Sequence, residues 1–116
     1  MPNAPCLFCG IVAKDLAATR LFEDDEVLAI RDIAPRAPTH ILLISREHVA
    51  SAAELTEDHA GLLARLFVVA GTLARSEGVA ESGYRLVTNV GGDAGQSVHH
   101  LHLHLLGGRS MSWPPG

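Results

Sequence analysis

Apolar positions in this chain change period several times, and each change marks an element. Leu7, Phe8, Ile11, Val12 and Ala13 fall at the spacing of one helical face, so a short amphipathic helix is expected over Cys6 to Asp15. Two short apolar stretches follow, Arg20 to Glu23 and Glu26 to Asp32, split by the acidic pair Asp24-Asp25 in the manner of a tight hairpin. Asp32-Ile-Ala-Pro-Arg-Ala-Pro-Thr39 carries two prolines, which disfavour helix and cannot donate in a ladder, and is read as a loop between strands. Beyond it, His40-Ile-Leu-Leu-Ile-Ser45 is β-rich and reads as a central strand, with Arg46-Glu47-His48 just past its end.

From Thr56 to Glu77 the period lengthens: Leu62, Leu63, Leu66, Phe67, Val69, Ala70 and Leu73 recur at helical spacing, predicting one long helix. Thr56 is its expected N-cap, Glu57 and Asp58 suit the positive end of its dipole, and Gly78 supplies the stop. Tyr84 to Asn89 reads as a further strand. A glycine-rich turn, Gly91-Gly-Asp-Ala-Gly-Gln-Ser97, leads into Val98 to Leu106, whose alternation predicts the last strand. The tail Gly107 to Gly116, ending Trp113-Pro-Pro-Gly, excludes regular structure. The expected class is α+β: an antiparallel five-stranded sheet with one long helix packed on it and a short N-terminal helix.

Size adds that residues 1–116 form a single domain, with 47% apolar side chains for its core. A net charge of -4 leaves no basic field for a polyanion, which argues against bulk nucleic acid binding. Met1-Pro-Asn-Ala-Pro-Cys6 lacks the pattern of a signal peptide, and no stretch approaches the roughly 18 apolar residues of a membrane span; a cytoplasmic protein is expected. There Cys6 and Cys9 would be thiols or metal ligands. The pair alone is ambiguous among zinc binding, redox chemistry and neither, although redox pairs normally follow a strand and none fits before Cys6.

The chemistry concentrates in His99-His-Leu-His-Leu-His-Leu105. Alternation on a strand puts His100, His102 and His104 on one face and Leu101, Leu103 and Leu105 on the other, toward the long helix. Neighbouring histidines on that face are about 7 Å apart, a spacing suited to surrounding one phosphate. Three imidazoles in a row add nothing to packing, so a merely solvated face is the weaker reading. Neutral imidazole is available near pH 7 to attack phosphorus, and the phospho-imidazole is labile to water. His40, at the start of the neighbouring strand, is the candidate orienting partner. Backbone N–H groups of the glycine-rich turn and the Ser97 hydroxyl could neutralise phosphate oxygens, although such a turn alone is more often only a turn.

His100-Leu-His102-Leu-His104-Leu-Leu resembles the motif of the histidine triad superfamily. Asp32-Ile-Ala-Pro-Arg-Ala-Pro-Thr-His40, Gly95-Gln-Ser97-Val and Gly107-Gly-Arg-Ser-Met-Ser-Trp-Pro-Pro-Gly116 resemble, in order, blocks of its HINT branch. The resemblance implies purine nucleoside phosphoramidase activity on adenosine 5′-phosphoramidate, AMP-lysine or aminoacyl adenylates. His102 would attack the α-phosphorus and expel an amine, and water would then release the nucleotide. His104 and Ser97 would lie near the scissile bond, and Asn89, Gly95 and Gln96 near the phosphate. Asp32 would hold the ribose and Ile33 would line the purine slot. A homodimer with a continuous sheet is implied, its tail reaching the partner's site so that Trp113 acts in trans. His99 stands where that branch has tyrosine; by alternation it shares the leucines' face.

The resemblance further implies that His48 and His100 complete a structural Cys2His2 zinc site with Cys6 and Cys9, closed to catalysis; no cofactor is implied for the chemistry itself. His59 is read as an exposed helix histidine without a partner. Three other readings stand beside the phosphoramidase. One is a zinc hydrolase using two triad histidines and His40. The others are a dinucleoside polyphosphate hydrolase and a non-catalytic nucleotide-binding or scaffold module.

Overall fold

A computed structural model describes residues 6–116, so the Met1–Pro5 part of the N-terminal reading lies outside it. A short helix, α1 (Leu7–Val12), precedes the strands β1 (Arg20–Glu23), β2 (Val27–Arg31) and β3 (Thr39–Ser45). The long helix α2 (Ala60–Ser76) and the strands β4 (Tyr84–Val87) and β5 (His102–Gly107) complete the chain. All pairings are antiparallel, as expected, and the five strands lie in the order β1-β2-β3-β5-β4.

Both faces of the central strands are covered, which is why β2 and β3 read as nearly continuous apolar runs. Val27, Ala29, Ile41 and Leu43 pack with Leu101, Leu103 and Leu105 against Leu62, Leu66, Val69, Ala70 and Leu73 of α2. Leu28, Ile30, Leu42 and Ile44 form a second, smaller core with Phe8 and Ile11 of α1. On this second face α1 covers only part of the sheet. The remainder holds the histidines.

Two element starts differ markedly from expectation, each for a local reason. β5 begins at His102 and not at Val98, because the Ser45 carbonyl that would continue the ladder is 2.6 Å from the His100 ring Nε2. The long helix begins at Ala60 and not at Thr56. Thr56 caps a separate 3-10 turn, Glu57–His59, whose closing residue is held by its own ring: Thr56 N–H donates to His59 Nδ1 at 3.0 Å. His59 is therefore neither exposed on a helix nor partnerless, since its Nε2 also lies 3.5 Å from Glu47. His99, preceding the strand, is exposed and does not join the leucines. Gly78, at φ 75°, ends the long helix as predicted.

Candidate active site and metal cluster

Strand register builds the site. His40, Leu42 and Ile44 of β3 stand opposite Leu106, His104 and His102 of β5, and the two leading histidines of β5 share the face that α1 partly covers. The His102 end lies under α1: Phe8 meets its ring edge-on, with centroids 4.9 Å apart at 83°. The His104 end opens into a cavity of about 290 Å³ lined by Arg36, His40, Arg85, Asn89, His104 and Arg109, among others. Arg85 and Arg109 are held there by backbone carbonyls, of Ser112 at 3.0 Å and Arg36 at 2.9 Å, and ion-pair with no carboxylate among the described residues. The cavity is accordingly cationic in a protein whose net charge is -4.

His102 and His104 offer the same ring nitrogen, Nε2, in opposite protonation states. Nδ1 of His102 is 2.7 Å from the His100 carbonyl, which can only accept, so Nδ1 carries the proton and Nε2 keeps its lone pair. For His104 the chain of donors begins in the proline loop. Arg36 N–H donates to His40 Nδ1 at 3.0 Å, which leaves the proton on His40 Nε2; that nitrogen donates to His104 Nδ1 at 2.9 Å. Neutral His104 must then carry its proton on Nε2. Asp32 lies 3.4 Å from His40 Nε2, and its other oxygen accepts from Ala34 N–H at 2.8 Å. Burial, followed by the charges of His102 and His40, lowers His104 to about 4. His40 is lowered as well, by burial and by Arg36, against the pull of Asp32.

His40 thus meets His104, and the contact that orients His102 is the carbonyl of His100, contrary to the sequence expectation. The three triad histidines do not surround one point. His100 is fully buried and turned into a different cluster, where its Nδ1 lies 3.2 Å from Cys6 Sγ, 3.5 Å from Cys9 Sγ and 3.1 Å from His48 Nδ1. All four ligand atoms lie within 4.8 Å of one another. Because the His100 Nε2–H is committed to Ser45, its Nδ1 offers a lone pair to the cluster, the carbonyl support usual behind a metal-bound histidine. Burial and the neighbouring Cys6 sulfur push the Cys9 thiol up to about 11, a situation that a cation among the ligands reverses. Two sulfurs and two imidazole nitrogens at these separations fit a tetrahedral metal site.

Other predicted residues rim the cleft. Asn89 is half-buried and lines both the cationic cavity and an adjoining hollow of about 610 Å³, which also reaches Asp93, Ala94 and Trp113. Gln96 is wholly engaged in the loop: its carbonyl accepts from Gly91 N–H, and its amide donates to the carbonyls of Ala50 and Val98. Gly95 and Ser97, on either side, are exposed. Ile33 and Trp113 stand 99% and 82% exposed, covered by none of the described residues. Sequence reasoning missed Phe8, Arg36, Arg85, Arg109 and Thr88, whose hydroxyl donates to the His102 carbonyl at 2.8 Å. Only the arginines left a signal, as cations near the proline loop and tail of an acidic chain.

The family model described as HIT domain matches residues 13–111. The chain belongs to the HIT family. It is 47% identical over 116 residues to a protein of Arabidopsis thaliana named adenylylsulfatase HINT1, covering 98% of this chain and 78% of that one. It is 46% identical over 118 residues to the 14 kDa zinc-binding protein of Zea mays, covering 100% and 91%. Among solved structures, a HIT family hydrolase from Legionella pneumophila superposes with a TM-score of 0.95 at 52% identity, covering 97% of this chain and all of that one. The five-stranded antiparallel sheet with its long helix is the HIT fold.

Proposed function

We propose that this HIT protein is a purine nucleoside phosphoramidase, and the observation that carries the reading is the complementary protonation of His102 and His104. A bare Nε2 on one and an Nε2–H on the other put a nucleophile next to a proton donor, their rings 5.1 Å apart. His102 Nε2 attacks the α-phosphorus, the P–N bond breaks with its electron pair on nitrogen, and His104 supplies the proton to the departing amine. Free His104 is too weakly basic to hold an extra proton near pH 7, but a bound phosphate anion raises it. The added proton enters at Nδ1, and His40 turns from donor to acceptor by carrying its own proton on Nδ1 in place of the Arg36 N–H contact, so the acid forms with substrate in place. Water then attacks phosphorus, neutral His104 takes its proton, and the P–Nε2 bond breaks to regenerate His102. In the resting protein His40 fixes the tautomer of His104.

Asp32 binds the ribose hydroxyls and Ile33 lines the purine slot. Asn89, Gly95 and Ser97 contact the phosphate, while Gln96 fastens their loop. Zinc in the Cys6, Cys9, His48 and His100 cluster is structural, as the donor set and the name of the maize relative support. Its four ligands close the shell, and no cofactor takes part in the chemistry. A cytoplasmic location keeps these thiols reduced, and no helix among the described residues is long and apolar enough to cross a membrane. A homodimer is supported by the free edge of β4 and by exposed Phe67, Val68 and Tyr84 beside it, and would give Trp113 a partner's site to reach. Sedimentation at the 12.3 kDa mass of a single chain would rule that assembly out.

One observation favours a metal hydrolase: the donor atoms of Asp32, His40 and His104 also lie within 4.8 Å of one another. The ring lone pairs of His40 and His104 are, however, used in the Arg36–His40–His104 chain. The deciding assay offers adenosine 5′-phosphoramidate, adenosine 5′-phosphosulfate and diadenosine polyphosphate to wild type and His102→Ala. Preferred turnover of the phosphoramidate, reduced at least about 10³-fold in His102→Ala with AMP affinity retained, is expected. Preference for the polyphosphate, or turnover independent of His102, would overturn the reading.

A further inference from the structure

We propose that the Cys6, Cys9, His48 and His100 cluster is the positioning device for His102, so that filling it sets which ring nitrogen of His102 carries the proton and which keeps the lone pair. The inference rests on the reading of His102 as nucleophile, and it makes Phe8 a positioning residue.

His100 belongs to both sites. Its ring is fixed at two points, Nδ1 among the ligand atoms and Nε2 at 2.6 Å from the Ser45 carbonyl. A residue pinned in this way has little freedom left at its own carbonyl, and that carbonyl takes the His102 Nδ1–H at 2.7 Å. The second link is α1. With six residues it is too short to be stable alone, and its first turn is tied down by Cys6 and Cys9. Phe8 lies between the two cysteines, 4% exposed, and sets its ring edge-on against His102 at 4.9 Å and against His100 at 6.0 Å. Loss of the metal loosens both supports at once. The His102 imidazole can then turn about its Cβ–Cγ bond, so that Nδ1–H leaves the His100 carbonyl. With that acceptor gone the proton exchanges through solvent between Nδ1 and Nε2, and the Nε2–H form has no lone pair for the cleft although no residue of the cleft has changed. Metal content thereby governs catalytic competence without touching substrate.

The test is imidazole nitrogen NMR on ¹⁵N-labelled protein, with the His102 signals assigned by their loss in His102→Gln, alongside zinc content, kcat and KM. Zinc-loaded wild type is expected to show His102 as a single Nδ1–H tautomer. Phe8→Leu should keep the zinc but show mixed tautomers, with kcat lowered about 10-fold and KM little changed. Cys9→Ser, or chelation, should give the same mixture together with loss of zinc. Should Cys9→Ser not fold, Phe8→Leu still decides. A His102 that stays a single tautomer in Phe8→Leu, or after zinc is removed from folded protein, overturns the proposal. A mixed tautomer in these samples, in a protein that hydrolyses no phosphoramidate, would uphold the positioning link while sinking the functional reading.

Discussion

His102 and His104 are the same residue type, two positions apart on one strand, and the difference between them lies in what each Nδ1 touches. A carbonyl forces the proton onto Nδ1 of His102, and a donating His40 forces it off Nδ1 of His104. The cost of burying these rings has a measurable consequence. His104 is lowered in the folded protein from 6.5 to about 4, so between those values the unfolded chain binds more protons than the folded one. Stability is then fully present above 6.5 and declines as pH falls toward 4. His40, lowered in the same sense, adds to the decline. Urea midpoints measured across that window should fall with pH in wild type and fall less steeply in His104→Asn; equal slopes would show that His104 carries none of it. The motif made the histidines legible in the sequence. Their tautomers were not, because these depend on the His100 carbonyl and on Arg36 N–H, backbone groups that every residue has.

At the scale of elements, periodicity located all five strands and both helices, since covered faces impose it directly. Where it failed, a side chain had competed with the backbone for a partner. The ring of His100 takes the carbonyl that would have extended β5, and the ring of His59 closes a 3-10 turn ahead of α2. Packing at the end of β5 is equally unforgiving. A Cβ at Gly107 would lie 2.9 Å from Cβ of Val79 and 3.0 and 3.1 Å from its methyl carbons, with a branched side chain on the far side that cannot swing clear. Gly107→Ala should therefore cost about 1–3 kcal/mol in urea denaturation, and a loss below about 0.5 kcal/mol would show that Val79 gives way.

Over the whole molecule, the sheet separates two tasks. One face is core against α2, and the other is divided between a small core with its thiol–imidazole cluster and an open cationic cavity beside His104. The sequence named, through motif and resemblance, the histidines and cysteines of both sites. It did not disclose that they join at His100, because that depends on where β5 starts, nor that Arg85 and Arg109 meet Arg36 across the cavity. The exposure of Ile33 and Trp113 belongs to this scale too: the described residues cover neither. The account stands or falls on a covalent bond at His102. Wild-type protein mixed with excess adenosine 5′-phosphoramidate, quenched in acid within one turnover and weighed intact, should carry one adenylyl group that fragmentation places on His102 and that is absent from His102→Ala. Turnover by wild type with no adduct at any quench time, or an adduct on another residue, would contradict it.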